Sequence, residues 1–294
     1  MSERFLVTGA HGCIGAWVVA ELVRQDVEVV AFDLGDGPGR VALLLGDPEL
    51  QRVRFVRGDI ADPVSVGAAM TDVTHVVHLA ALQYPYCRDD HLDGARVNVL
   101  GTVAVFDAAR AVGARLVYAS SIAALVHGQL YGTWKRANEG TAEAFWVEDG
   151  FPSIGLRPGL VYGVGRDRGV TASMTLAMEA AAHGTPFHIG HGGASPLNHA
   201  GDVAQLFVRC ARLAPQGAPV YDTGGAVHHV REVVQAIEAA VPGARVTFED
   251  SPSAAIPDAF DGGALAAALG GVEWRPLDEG VHETVGRFRE LGHG

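Results

Sequence analysis

Apolar residues fall in short unbroken runs in the first half of the chain, with mixed stretches between them. Phe5–Thr8, Glu28–Phe32, Val53–Val56, His75–Leu79, Arg115–Ala119 and Ser153–Arg157 carry such runs and predict strands. Between the first two, Ile14, Val18, Leu22 and Val23 share one face of a helix over Cys13–Arg24. Asp62 and Pro63 give an N-cap followed by proline at the first helical position. A loop holding Gln83, Tyr84, Pro85 and Tyr86 leads to a long helix near Ala95–Ala111, and another helix carries Tyr131 and Lys135. Strands alternating with helices predict an α/β fold, a doubly wound, Rossmann-like parallel sheet buried on both faces with right-handed crossovers.

After Arg157 the rhythm changes. Glycine-rich connections at Gly163–Gly169 and Gly184–Gly193 interrupt it. Helices are expected at Thr171–Ala182, Asp202–Leu213, Val230–Ala240 and Asp278–Leu291, and strands at Val220–Asp222 and Arg245–Phe248. This gives two expected domains. Residues 1–160 form a dinucleotide-binding domain, and residues 161–294 a smaller C-terminal substrate lobe interleaved with returns to the main sheet.

The chain has 294 residues, 48% of them hydrophobic, which is ample for a large core. Its formal charge of −12 argues against nucleic acid or an anionic membrane as a partner. No apolar run is long enough to span a bilayer, and the N-terminus has no signal-peptide pattern. Cys13, Cys87 and Cys210 are scattered and fit a reducing cytoplasm rather than a zinc site. His183, His188 and His191 cluster loosely without a carboxylate at ligand spacing, so no metal is expected.

The chemistry concentrates at turns. Gly9, Gly12 and Gly15 lie between a strand and a helix start, where free amides and the helix dipole suit a pyrophosphate. Gly9, His11, Gly12, Cys13, Ile14 and Gly15 are therefore candidate cofactor contacts. Cys13 is read as packing beneath the dinucleotide. Asp33 ends the second strand 18 positions after Gly15. A carboxylate there accepts from ribose hydroxyls and repels a 2′-phosphate, which favours NAD over NADP, although Arg40 nearby keeps NADP open. Asp59 and Ile60 are expected to meet the adenine, and the stretch Leu79, Ala80 and Ala81, with its two small alanines, to let the cofactor approach. His78 is read as a packed, hydrogen-bonded histidine. Tyr131 and Lys135 lie one helical turn apart on a shared face. A neighbouring ammonium and an oxidised nicotinamide would lower the phenol and make it a base. Ser120 and Ser121 follow the fifth strand and can hold a substrate oxygen. Gln83, Tyr84, Tyr86, Arg166 and Arg168 are candidate substrate contacts, and either arginine could clamp a carboxylate.

These motifs, in this order, resemble the extended short-chain dehydrogenase/reductases, the NAD-dependent epimerase/dehydratase family. The residues that carry the resemblance are Thr8–Gly15, Gly58-Asp59-Ile60, His78–Ala81, Val97–Thr102, Tyr118–Ser121, Tyr131–Lys135 and Leu156–Gly163. The resemblance implies bound NAD(P) and a Ser121–Tyr131–Lys135 catalytic set. It also implies that Asn98 orders the catalytic region, that Pro158, Gly159 and Leu160 border the nicotinamide, and that the chain forms a homodimer.

The chain departs from the pattern in three places. Only nine residues separate Ser121 from Tyr131. Gly159-Leu160 stands where sugar-nucleotide enzymes commonly have Asn. Ser195 stands where an arginine helps hold a diphosphate. These departures favour a small substrate. The resulting expectation is NAD-dependent oxidation of a secondary hydroxyl of a small sugar, polyol or sugar acid. A sugar or nucleotide-sugar epimerase working by transient oxidation is the alternative, and a non-catalytic NAD(P)-sensing regulator is the third.

Overall fold

A computed structural model describes residues 2–251 and 260–292. Residues 1, 252–259 and 293–294, which fall inside the two expected domains, lie outside that description. The strands are β1 Arg4–Thr8, β2 Glu28–Asp33, β3 Val53–Arg57, β4 His75–His78, β5 Arg115–Ala119, β6 Ser153–Arg157, β7 Leu160–Tyr162, β8 Phe187–Ile189, β9 Ala194–His199, β10 Val220–Asp222, β11 Val227–His229 and β12 Val246–Phe248. Seven of them form one parallel sheet in the order β10-β6-β5-β4-β1-β2-β3.

The apolar runs are explained by this sheet. Phe5 and Val7 of β1 enter one buried cluster, and Leu6 enters the other on the opposite face. Helices Cys13–Arg24 and Ala200–Ala211 cover the first face; Pro63–Ala69, Gly101–Val112 and Leu130–Asp149 cover the second. Strand order reverses between β1 and β4, so the chain leaves the sheet in opposite directions there. The crevice this opens at the carboxyl ends of the strands is where such sheets take ligands.

The glycine-rich half holds more strands than its pattern predicts. β7 and β9 pair in parallel, with β11 antiparallel to β9, and β8 pairs with β12. β10 and β12 were expected, whereas β7, β8, β9 and β11 were not. A helix at Gly263–Leu269 also had no distinct signal. Upstream, residues 83–86, expected as a loop, open a helix over Tyr84–Asp89. The long helix expected near Ala95–Ala111 is broken by a π-turn at Arg96–Leu100. The Asn98 carbonyl there accepts from Thr102 Oγ1 at 2.8 Å and Asn138 Nδ2 at 2.9 Å, so side chains take part of the bonding regular helix would supply. Among the described residues no helix is long and apolar enough to cross a membrane.

Candidate active site

At the β1/β4 switch point lies a cavity of about 400 Å³. One wall is the start of helix Cys13–Arg24, with Gly9, Gly12, Cys13, Ile14 and Gly15 facing the space. Gly12 caps that helix without a side-chain acceptor, so the first helical amides are left for a ligand. Glycine is required at two of these positions. A Cβ on Gly9, whose φ is +69°, would lie 2.6 Å from the Ala80 nitrogen, and one on Gly15 would lie 2.1 Å from the Gly9 oxygen. The glycines let β1, β4 and the helix converge closely enough to form this wall.

The rest of the lining carries the polar side chains Ser121, Tyr131, Lys135, Gln83, Tyr84 and Arg166, with Leu79, Ala81, Pro158, Gly159 and Leu160. Lys135 is 4% exposed, and its Nζ donates to the Ala119 carbonyl at 2.6 Å while lying 5.7 Å from the Tyr131 ring centroid. Burial lowers its ammonium to about 8. Burial raises the Tyr131 phenol above its ordinary value, while a hydrogen bond with Ser121 and the Arg166 charge pull it down. The expected lowering by Lys135 is therefore not what these side chains do. Lys135 is tied to the β5 carbonyl, and Ser121 and Arg166 supply the downward pull.

The two serines separate by partner. Ser120, 3% exposed, donates to Glu139, whereas Ser121 reaches Tyr131. Glu139 also takes both arms of Arg157, at 2.8 and 2.7 Å, and Arg157 meets Asp222 at 3.4 Å. This chain of one hydrogen bond and two ion pairs joins the helix bearing Tyr131 to the ends of β5, β6 and β10. Sequence reasoning missed Glu139, although it lies four residues beyond Lys135 on the same helix face.

A buried polar relay fixes the loop after β4. His78 Nε2 pairs with Thr102 Oγ1 at 3.1 Å and Nδ1 with Thr8 Oγ1 at 2.8 Å. Thr102 spends its proton on the Asn98 carbonyl, so Nε2 is the protonated nitrogen of His78. Burial lowers this imidazole to about 3, which keeps it neutral. Asn98, 1% exposed, accepts from the Leu82 amide at 2.7 Å and donates to the Leu82 carbonyl at 2.9 Å. It thus holds the backbone just before Gln83 and Tyr84.

Other expected contacts stand outside the cavity wall. Asp33 accepts from the His11 amide at 2.9 Å and the Gly35 amide at 3.3 Å, at the outer end of the glycine turn. Burial opposes ionisation of Asp59, but the Ala61 amide at 2.9 Å and Arg96 at 2.7 Å outweigh it and hold the carboxyl below its usual range. Ile60 is 6% exposed, and Ala80 lies behind Gly9. Arg168 and Tyr86 are exposed and away from the lining. Burial pushes the Cys13 thiol up to about 12, so the helix start does not make it a thiolate. Among the described residues no His, Cys, Asp or Glu cluster can hold a metal.

A dinucleotide fits this donor set. Uncapped amides face the diphosphate position, a carboxylate ends β2, and a buried ammonium beside a phenol lines the far end.

Comparison with known proteins agrees. The family model "NAD dependent epimerase/dehydratase family" matches residues 5–224. A UDP-glucose 4-epimerase of Mycolicibacterium smegmatis is 29% identical over 317 residues, covering 97% of this chain and 98% of that protein. The crystal structure of Thermus thermophilus UDP-glucose 4-epimerase in complex with NAD superposes with a TM-score of 0.79 at 26% identity, over 97% of this chain and 99% of the other. MoeE5 in complex with UDP-glucuronic acid and NAD gives 0.77 at 26%, over 98% and 99%.

Proposed function

The chain belongs to the NAD dependent epimerase/dehydratase family, and on that premise we propose that it is a nucleotide-sugar epimerase that inverts one carbinol carbon through transient oxidation. NAD, when bound, supplies the acceptor and donor of the hydride. Tyr131 takes the proton of the substrate hydroxyl and later returns it. Ser121 orients that oxygen and steadies its developing charge. Lys135 keeps a positive charge beside the phenol and offers its remaining donors to the nicotinamide ribose. Cys13 and Ile14 amides hold the diphosphate of the cofactor, and Asp33 its adenosine ribose. Asp59, Ile60, Pro158, Gly159 and Leu160 shape the remainder of that site, and Asn98 positions the loop that carries Gln83 and Tyr84. Arg166 meets an anionic group of the substrate.

One observation carries the reading: Ser121, Tyr131, Lys135 and the uncapped helix start face a single cavity. The near full-length similarity to UDP-glucose 4-epimerases supports this reading better than net oxidation of a small sugar. Ser195, on β9 opposite His228, is the observation that favours the smaller substrate. A sensor without catalysis has no use for a buried Lys135 beside Tyr131.

We propose with this that residues after Leu160 hold the sugar. A homodimer through the helices near Asn98 and Tyr131 accords with Leu92, Leu100 and Val147, exposed there by 85%, 61% and 72%. Light scattering tests the dimer.

The function is tested by incubating the purified protein with UDP-hexoses and UDP-hexuronates. The expected result is an equilibrium mixture of epimers, protein that retains NAD, and no net NADH. NADH formed in proportion to product overturns the epimerase reading.

A further inference from the structure

Arg40 lies just after β2, and its side chain crosses the outer end of the cofactor crevice. Its Nη1 donates to the His11 carbonyl at 2.7 Å. Its Nη2 and Nε donate to the two oxygens of Asp167 at 2.5 and 3.1 Å. Asp167 is 127 positions away, in the glycine-rich loop after β7. On the other side of His11, the Asp33 carboxylate takes the His11 amide at 2.9 Å. Arg40 and Asp33 thus bracket one residue, His11, from its carbonyl and its amide.

That placement has a consequence for the cofactor. An arginine beside the carboxylate that ends β2 is the group that accommodates a 2′-phosphate in sheets of this kind. Here most of the guanidinium is engaged: Asp167 pairs with its charge and takes two of its five N–H groups, and the His11 carbonyl takes a third. The next cation, Arg57, stands opposite Asp33 in the β2–β3 register and is likewise held, by Asp36 at 3.0 Å.

We propose that Asp167 is a positioning residue for cofactor specificity. By holding Arg40 it denies a 2′-phosphate its counter-charge, and so adds to the repulsion that Asp33 exerts on NADP. Discrimination between the two dinucleotides is then set jointly by the end of β2 and by a loop on the far side of the crevice. The pair is partly exposed, at 20% for Arg40 and 49% for Asp167, so breaking it leaves the fold intact.

The test is binding, with NAD and NADP as probes. Full-length protein carrying its bound nucleotide is exchanged against mixtures of the two, washed, extracted and analysed by chromatography. Asp167→Ala is expected to shift the NADP-to-NAD ratio towards NADP by about tenfold, with the residual preference due to Asp33. Adding Arg40→Leu to Asp167→Ala returns the ratio to that of the parent, and Arg40→Leu alone leaves it unchanged. An unaltered ratio in Asp167→Ala overturns the proposal. So does an equal loss of both nucleotides, which would make the bridge a closure device only. A gain in NADP that survives Arg40→Leu also overturns it.

Discussion

The two ends of the crevice are built from different materials. At the inner end, side chains do the work: Tyr131 and Lys135 project from a 20-residue helix, and Lys135 is 4% exposed and bonded to the β5 carbonyl. At the outer end the backbone dominates. Gly9, Gly12 and the first amides of helix Cys13–Arg24 form the surface, and the charged groups nearby are engaged with one another near solvent. Buried groups in a low-dielectric wall have shifted proton affinities and tolerate little change. Backbone amides and exposed pairs give affinity and selectivity in smaller steps. Under the proposed function, reactivity belongs to one end and nucleotide choice to the other.

Substitutions at each end test that division. Tyr131→Phe removes the proton acceptor and is expected to lower turnover by about 10²–10⁴-fold while bound NAD stays at the parental level, read by epimer assay and nucleotide extraction. A parallel loss of NAD would erase the boundary between the two ends.

Lys135 gives a pH signature. Its ammonium is held to about 8, so activity that needs the charge falls as pH rises through about 8. Lys135→Arg, always charged, carries that limb to higher pH. The same shift acts on stability. Between about 8 and the ordinary lysine range the unfolded chain binds more protons than the folded one, so folding strengthens as pH rises there. Wild type therefore gains in Tm on Lys135→Met over that window, measured by thermal melts at stepped pH.

Asn98→Ala strips the Leu82 amide and carbonyl of their buried partner. The expected cost is about 1–3 kcal/mol of stability, seen as a lower Tm with reduced turnover. At the outer end, Asp33→Ala should weaken NAD by about tenfold and leave turnover of the loaded enzyme near wild type, measured by nucleotide retention. The smallest effect separates two arginines. Arg166→Ala raises KM, and Arg168→Ala, exposed and outside the lining, leaves KM within about twofold, because charges screened by solvent contribute little.

Most of this arrangement was legible in the chain. The unbroken apolar runs at Phe5–Thr8 and Arg115–Ala119 read as doubly buried strands because both faces of a parallel sheet are covered, and they fold as such. The glycine turn, Asp33, Tyr131 and Lys135 were visible because each depends on local spacing: a turn, a strand end, one helical turn. Of the later strands, β10 and β12 were expected, whereas β7, β8, β9 and β11 were not, and these owe their conformation to the neighbours they pair with.

Which atoms are available for chemistry, and the periodicities that put them at the carboxyl ends of strands or on one helix face, are already written in the chain. Their partners are not, and come from the packed fold. It gave Ser120 to Glu139 and Ser121 to Tyr131, seated Lys135 on the Ala119 carbonyl, and brought Asp167 across the crevice to Arg40. Local pattern is set by rotations along a few residues, whereas these pairings join segments up to 127 positions apart and form only once both faces of the sheet are packed.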